Sequence, residues 1–412
     1  MVGSEIITAL DIGSSKTCLV MAAVSDTGEL NIIGFGNVPS PGMSRGMVVN
    51  VDRTVNSIKQ AVSDAEHMSG LEVENVILGV SGGIVDCHNT KGIVGVRDNR
   101  NHIITEDDKL RARQSATNRN VPPDREIIHT IEQDYTVDGQ SGFKDPVGMM
   151  GVRLEVNMHI VTVSTNAIQN LLNCTKIAGL TVDEDDIVLT SLASSEAVLS
   201  PQEKQMGVAL LDFGAGTTDI MIHTGGSVRH TKVLNLGGNS LTRDIFKTLR
   251  TTLDSAEELK IQEGCCMRSL LPPDDSPLII PGMNGVSQEV GSHVLCDILE
   301  CRVEELLNHI HQEIIVSGCD RDVAGIVLTG GTALLRGVPE LAAEIFERPV
   351  RVGYPSYMGG LAEMVYSPKF SAVMGLLLHA MKRAELPGAV PMARAAKKNG
   401  GLWSGLLNRL LG

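Results

Sequence analysis

Residues 6–17 read Ile-Ile-Thr-Ala-Leu-Asp-Ile-Gly-Ser-Ser-Lys-Thr, and residues 208–218 read Val-Ala-Leu-Leu-Asp-Phe-Gly-Ala-Gly-Thr-Thr. In both stretches an apolar run ends in an acid, Asp11 or Asp212. The chain then turns through glycine and small hydroxyl residues into a second apolar run, Thr17–Val24 or Ile220–Ile222. This pattern predicts strand, tight polar turn, strand. The two acids lie 201 residues apart, and each copy continues alike. Ile32–Asn37 and Ser227–Val233 read as third strands, and helix-like segments follow at Asp52–Ala65 and Asn239–Leu249. A duplication of this size predicts two similar α/β lobes facing each other.

Two such turns suit a triphosphate. Glycine lets the backbone approach closely, and successive N–H groups with hydroxyls hold phosphate oxygens. The phosphate-facing candidates are Gly13, Ser14, Ser15 and Lys16 in the first turn, and Gly214, Ala215, Gly216, Thr217 and Thr218 in the second. Asp11 and Asp212 are expected to converge on Mg²⁺, which takes one or two carboxylates plus phosphates and waters. Neither turn is a GxxxxGK[ST] loop and no strand leads into GxGxxG, so the P-loop and Rossmann readings are out. Ordinary hairpins with exposed turn acids are the bland alternative to a phosphate site.

A third element decides between them. Ile326-Val-Leu-Thr-Gly-Gly-Thr-Ala-Leu-Leu335 reads as a buried strand, then Gly330, Gly331 and Thr332, then a helix start. Paired glycines there leave room for adenine and ribose against the backbone. Three such elements in this order resemble the actin-like ATPase superfamily, which includes actin, MreB, FtsA, chaperone ATPases and sugar kinases. The resemblance implies a ribonuclease-H-like duplicated α/β fold closing on Mg·ATP. It also implies that Glu257 and Lys260 of Ala-Glu-Glu-Leu-Lys (256–260) clamp the adenosine, with Gly238 at a ribose-side turn. Glu196, in the connection between lobes, would orient the attacking water, and Asp212 would share the catalytic role. A solvated helix face is the plainer reading of both glutamates.

Between the strand-like Val76–Ser81 and Ile160–Ser164 lie short alternating segments and one polar helix, Glu106–Asn118. A structureless loop that long is uncommon, so an inserted β-rich module is expected. This insertion, its opening Ile77-Leu-Gly-Val-Ser-Gly-Gly and the segment Gly225–Lys232 resemble the FtsA family of bacterial cell-division proteins. By that resemblance 1–83, with 163–205 and about 355–385, form one lobe; 84–162 are an inserted subdomain of the type called 1C. Residues 206–354 form the second lobe, including a small subdomain at about 237–319. A linker follows at 386–400 and an amphipathic helix at 401–412.

The 412 residues carry a formal net charge of −14 and only 3% aromatics, with one tryptophan. An acidic, aromatic-poor chain is a poor partner for nucleic acid. The eight cysteines form no CxxC pair and read as reduced thiols. Glu5 and Asp11 interrupt what a signal peptide would need as its apolar region, so a cytoplasmic chain is expected.

Charge is segregated. Residues 389–412 carry Arg394, Lys397, Lys398 and Arg409 and no acid, for +4, leaving −18 on the rest. Read as a helix at about 100° per residue, Leu402, Trp403, Leu406, Leu407, Leu410 and Leu411 fall on one half of the surface. Burying roughly 300 Å² of that face at ~25 cal/mol/Å² is worth about 7 kcal/mol before ordering costs. Each basic residue adds up to about 1 kcal/mol beside anionic lipid. Reversible membrane attachment is expected; docking into a protein groove is the alternative.

The FtsA resemblance implies a protein at the inner face of the cytoplasmic membrane at the division site. It would tether polymers of the tubulin-like FtsZ through FtsZ's C-terminal peptide, self-associate into filaments and recruit other division proteins. ATP binding, with slow hydrolysis at most, is the cofactor expectation. The pilus-assembly protein PilM and a kinase of the same superfamily are the rival resemblances.

Overall fold

The computed structural model describes residues 5–97, 101–117, 121–275, 277–282 and 286–384. The linker and the amphipathic segment expected at 386–400 and 401–412 lie outside these residues.

Two sheets carry the duplication. The first has six strands in the order Ile187–Leu189, Ile77–Val80, Ile6–Ile12, Lys16–Val24, Leu30–Pro39, Gly359–Gly360. The second has five, in the order Ser227–Leu234, Thr218–Thr224, Val208–Phe213, Gly325–Thr329, Val350–Val352. In each, an antiparallel three-strand meander is extended by a parallel strand beside its first member. The match reaches the register: Asp11 pairs with Cys18, and Asp212 pairs with Asp219. The acids therefore occupy the same place at the end of the first strand in both lobes.

Helices cover these sheets through periodic apolar faces. Val51–Ser69 starts where the Asn50 side chain accepts from the Arg53 N–H and stops at Gly70, whose φ of 71° is left-handed. It buries Val55, Ile58, Ala61 and Ala65, one stripe at helical spacing. In the second lobe Ser292–Val316 buries Leu299, Val303, Leu306, Ile310 and Ile314 in the same way.

Two helices join the lobes, Thr190–Val198 and Ser371–Ala384. They cross so tightly that a Cβ on Gly375 would sit 1.9 Å from the Ala193 carbonyl oxygen, so only glycine fits. Leu189, Ala197 and Val198 share a core with Leu210, Met221 and Val327 of the second lobe.

The intervening segment forms its own four-stranded sheet, Val85–Gly95, Arg153–Ser164, Arg125–Val137 and Gln140–Phe143, under the helix Glu106–Thr117. Tyr135, Leu154, Val156 and Met158 are buried in its core. Polar bonds tie it to the second lobe: Gln133 Nε2 donates to the Val228 carbonyl at 2.8 Å, and His159 Nε2 lies 3.0 Å from Thr231 Oγ1. All eight cysteines are unpaired.

Candidate functional site

The two turns face each other across a cavity of about 630 Å³ between the lobes. Both are built alike. The Gly13 N–H donates to the Lys16 carbonyl at 2.9 Å, and the Gly214 N–H donates to the Thr217 carbonyl at 2.9 Å. Gly13, Ser14, Ser15 and Lys16 line the cavity from the first lobe; Gly214, Ala215, Gly216 and Thr217 line it from the second. Thr218 does not. Its hydroxyl is fully buried and donates to the Leu236 carbonyl at 2.8 Å, because strand alternation points it away from the turn.

The nucleoside-side elements converge as well. Gly238, Glu257, Lys260, Gly330, Gly331 and Thr332 all line the cavity. Lys260 Nζ lies 2.7 Å from Glu257 Oε2 and donates to the Gly238 carbonyl at 3.2 Å. Thr332 Oγ1 donates to the Gly214 carbonyl at 3.1 Å, fastening the glycine pair to the second turn. Gly330 takes a left-handed φ of 84°, and a Cβ there would meet the Phe213 carbonyl oxygen at 2.4 Å.

Asp11 and Asp212 sit on the cavity floor. Lys16 Nζ is 3.6 Å from Asp11 Oδ2, and Ser194 Oγ donates to Asp212 Oδ2 at 2.6 Å. Burial pushes the Asp212 carboxyl up to about 6; the Ser194 bond opposes this and the Asp11 charge adds to it. Beside it is an acid the sequence reading passed over. Asp219 lines the same floor and accepts from Ser81 Oγ at 2.6 and 2.7 Å and from Thr190 Oγ1 at 3.1 Å. Burial, then the neighbouring Asp212, raises its carboxyl to about 7. The signal was present in the 201-residue offset, which sets Asp219 over Cys18: a charged residue where the first lobe holds a fully buried thiol. Lys369, also unforeseen, lines the cavity beside Gly331; its ammonium stands 4.9 Å from the Phe370 ring, and that of Lys16 stands 5.1 Å from it.

Glu196, expected to orient the attacking water, is not among the residues that line the cavity. It lies two residues, about 200°, around the helix from Ser194, whose hydroxyl reaches Asp212. Its carboxylate is held by His379 Nδ1 and Lys382 Nζ, each at 3.0 Å. Burial works to raise this carboxyl, but His379 and Lys382 outweigh it and hold it below the usual range. Glu196 is a brace between the two joining helices.

The cavity suits Mg·nucleotide by the chemistry of its donors. Two carboxylates on a buried floor call for a cation, and paired turns of N–H groups and hydroxyls call for phosphate oxygens. Among the described residues no three His, Cys, Asp or Glu side chains gather closely enough to cage a metal alone.

The family model described as "Cell division protein FtsA" matches residues 209–375, and that described as "SHS2 domain inserted in FTSA" matches residues 82–162. Curated cell division proteins FtsA from Neisseria meningitidis and Escherichia coli are 41% and 33% identical over 98% and 99% of this chain, covering 96% and 97% of their own. The chain belongs to the FtsA family. Solved structures below 25% identity agree on the actin-like fold. A PilM–PilN pilus biogenesis complex aligns at TM-score 0.65 with 17% identity, over 91% of this chain and 98% of that one. MreB5 of Spiroplasma citri bound to ADP aligns at 0.54 with 14% identity, over 92% and 98%. The fold is thus the actin-like ATPase fold with the FtsA insertion, as the duplicated turns led us to expect. Among the described residues no helix is long and apolar enough to cross a membrane.

Proposed function

We propose that this chain binds Mg·ATP between its lobes and anchors FtsZ polymers to the inner face of the cytoplasmic membrane at the division site. The cavity between the paired turns is the observation that carries the nucleotide reading. Asp11 and Asp212 would hold the cation, the two turns and Lys16 the phosphates, and Glu257, Lys260 and Gly330–Thr332 the nucleoside. The nucleotide supplies the energy that makes lobe closure depend on its hydrolysis state. Asp219, held by Ser81 and Thr190 beside Asp212, completes this floor; turnover is slow, serving as an assembly switch rather than metabolism. The lobes and insertion self-associate into filaments, the 237–319 region takes the FtsZ C-terminal peptide, and other division proteins are recruited in turn.

Attachment falls to Leu402, Trp403, Leu406, Leu407, Leu410 and Leu411 in the acyl boundary, with Lys397, Lys398 and Arg409 on anionic headgroups. Calorimetric titration with ATP, with and without Mg²⁺, tests the nucleotide reading. Saturable binding that weakens about tenfold or more on chelation supports it; no binding at millimolar Mg²⁺ overturns it.

A further inference from the structure

Three of the chain's four tyrosines stand together in the segment 354–366, which also carries Gly359–Gly360, an edge strand of the first sheet. The Tyr366 ring lies 5.6 Å from that of Tyr354 and 5.9 Å from that of Tyr357. The three are 48%, 45% and 66% exposed in that order, with Leu361 and Met364 also exposed beside them. Met364 leads on into an open groove of about 460 Å³, where Phe35 and Met68 supply apolar walls and Asp64 and His67 the rim. Glu363 is exposed next to Met364. Exposed tyrosines and methionines grouped beside a groove with a polar rim mark a contact site rather than scattered exposure.

The chain itself supplies a segment of matching chemistry. The helix Ser371–Ala384 ends with Arg383 hydrogen-bonded to the Asp185 carbonyl and paired with Asp186, at the opposite edge of the same sheet. Six strands at ~4.8 Å put the two edges roughly 24 Å apart. Residues 386–400 span roughly 20 Å as a coil and about 50 Å extended, enough to cross. Beyond them come six large apolar side chains on one arc, among basic residues and no acid. Asp64 lines the groove and Glu363 is exposed beside Met364, carboxylates that complement this basic segment.

We propose that residues 402–411 seat on this tyrosine–methionine surface when no membrane is present, so that the groove and lipid compete for the same apolar arc. The inference rests on the amphipathic reading of those residues given above and not on their affinity for lipid. A short tether gives an effective concentration near ~1 mM, so a contact of only ~100 µM intrinsic affinity masks the segment about tenfold.

Trp403 is the sole tryptophan, which makes the test direct. In the full chain without lipid, its emission is expected to be blue-shifted and several-fold less quenched by acrylamide than in an isolated 401–412 peptide, independent of protein concentration. The double variant Tyr357→Glu/Met364→Glu, with thermal melting checked against the parent, is expected to restore peptide-like quenching and bind phosphatidylglycerol vesicles about tenfold more tightly. Peptide-like quenching in the parent overturns the proposal. So does protection that appears only as the concentration rises, which assigns the surface to a second copy. Protection that the variant does not relieve overturns it as well. If Trp403 is protected and released by the variant yet neither protein floats with vesicles, the docking stands and the lipid reading falls.

Discussion

Gly216 and Ser14 meet across the cleft: a Cβ built on Gly216 would lie 2.4 Å from Ser14 Oγ and 2.7 Å from Ser14 Cβ. The two phosphate turns, one from each lobe, are thus in contact, and the lobes can close no further with any side chain at 216. Gly216→Ala is expected to force the turns apart, costing about 1–3 kcal/mol in overpacking. It should weaken ATP binding about tenfold or more while circular dichroism stays native. Calorimetry on the variant checks this.

The two floor acids separate from the brace. Asp11→Asn and Asp212→Asn are each expected to lower Mg·ATP affinity about tenfold to a hundredfold, with the Mg²⁺ dependence blunted. Glu196→Gln should leave nucleotide affinity and turnover within about twofold. Its cost falls on stability instead, about 1–2 kcal/mol from the weakened His379 and Lys382 contacts. Parallel binding and denaturation curves for the three variants distinguish these roles.

Asp219 gives a pH signature. Its carboxyl is raised in the folded state, so the native protein holds a proton that the unfolded chain releases. The resulting stability is present at low pH and is lost as pH rises from about 4 to about 7. Asp219→Asn, which keeps an acceptor for Ser81 and Thr190, should therefore be more stable than the parent by about 2 kcal/mol at pH 8 and close to it at pH 4. Urea unfolding at the two pH values measures the difference.

His223 has the opposite sign. It is buried on the strand Thr218–Thr224 with no hydrogen-bond partner for either ring nitrogen, and burial followed by the Lys204 charge lowers it to about 3. The unfolded chain takes a proton there that the native state refuses, so stability falls as pH drops from about 6.5 towards 3. His223→Phe removes two orphaned polar atoms. It is expected to gain about 1–2 kcal/mol at neutral pH and to shift the acid-unfolding midpoint downward.

The duplication was legible because it rests on local chemistry. Acid, glycine and hydroxyl residues between apolar runs specify a turn with little help from the rest of the fold, and fourteen of the expected nucleotide-contact residues do line one cavity. What escaped was set by direction. Thr218 follows the turn by one residue, and the strand's alternation sends it into the core. Glu196 shares a short helix with Ser194, and which face meets the cleft depends on how that helix crosses Ser371–Ala384. Ile160–Ser164 read as a strand of its own, but no turn residue precedes it, and one strand, Arg153–Ser164, runs from the insertion into the first lobe. The joining helices place residues distant in sequence, and their crossing is a property of packing that no local pattern records.

The tether reading is tested most directly by flotation with phosphatidylglycerol-containing vesicles, comparing the full chain with one ending at Gly400, each with Mg·ATP and purified FtsZ. The expected result is that only the full chain rises and that it carries FtsZ polymers with it. If the shortened chain floats equally well, or the full chain floats without carrying FtsZ, the proposed anchor is contradicted.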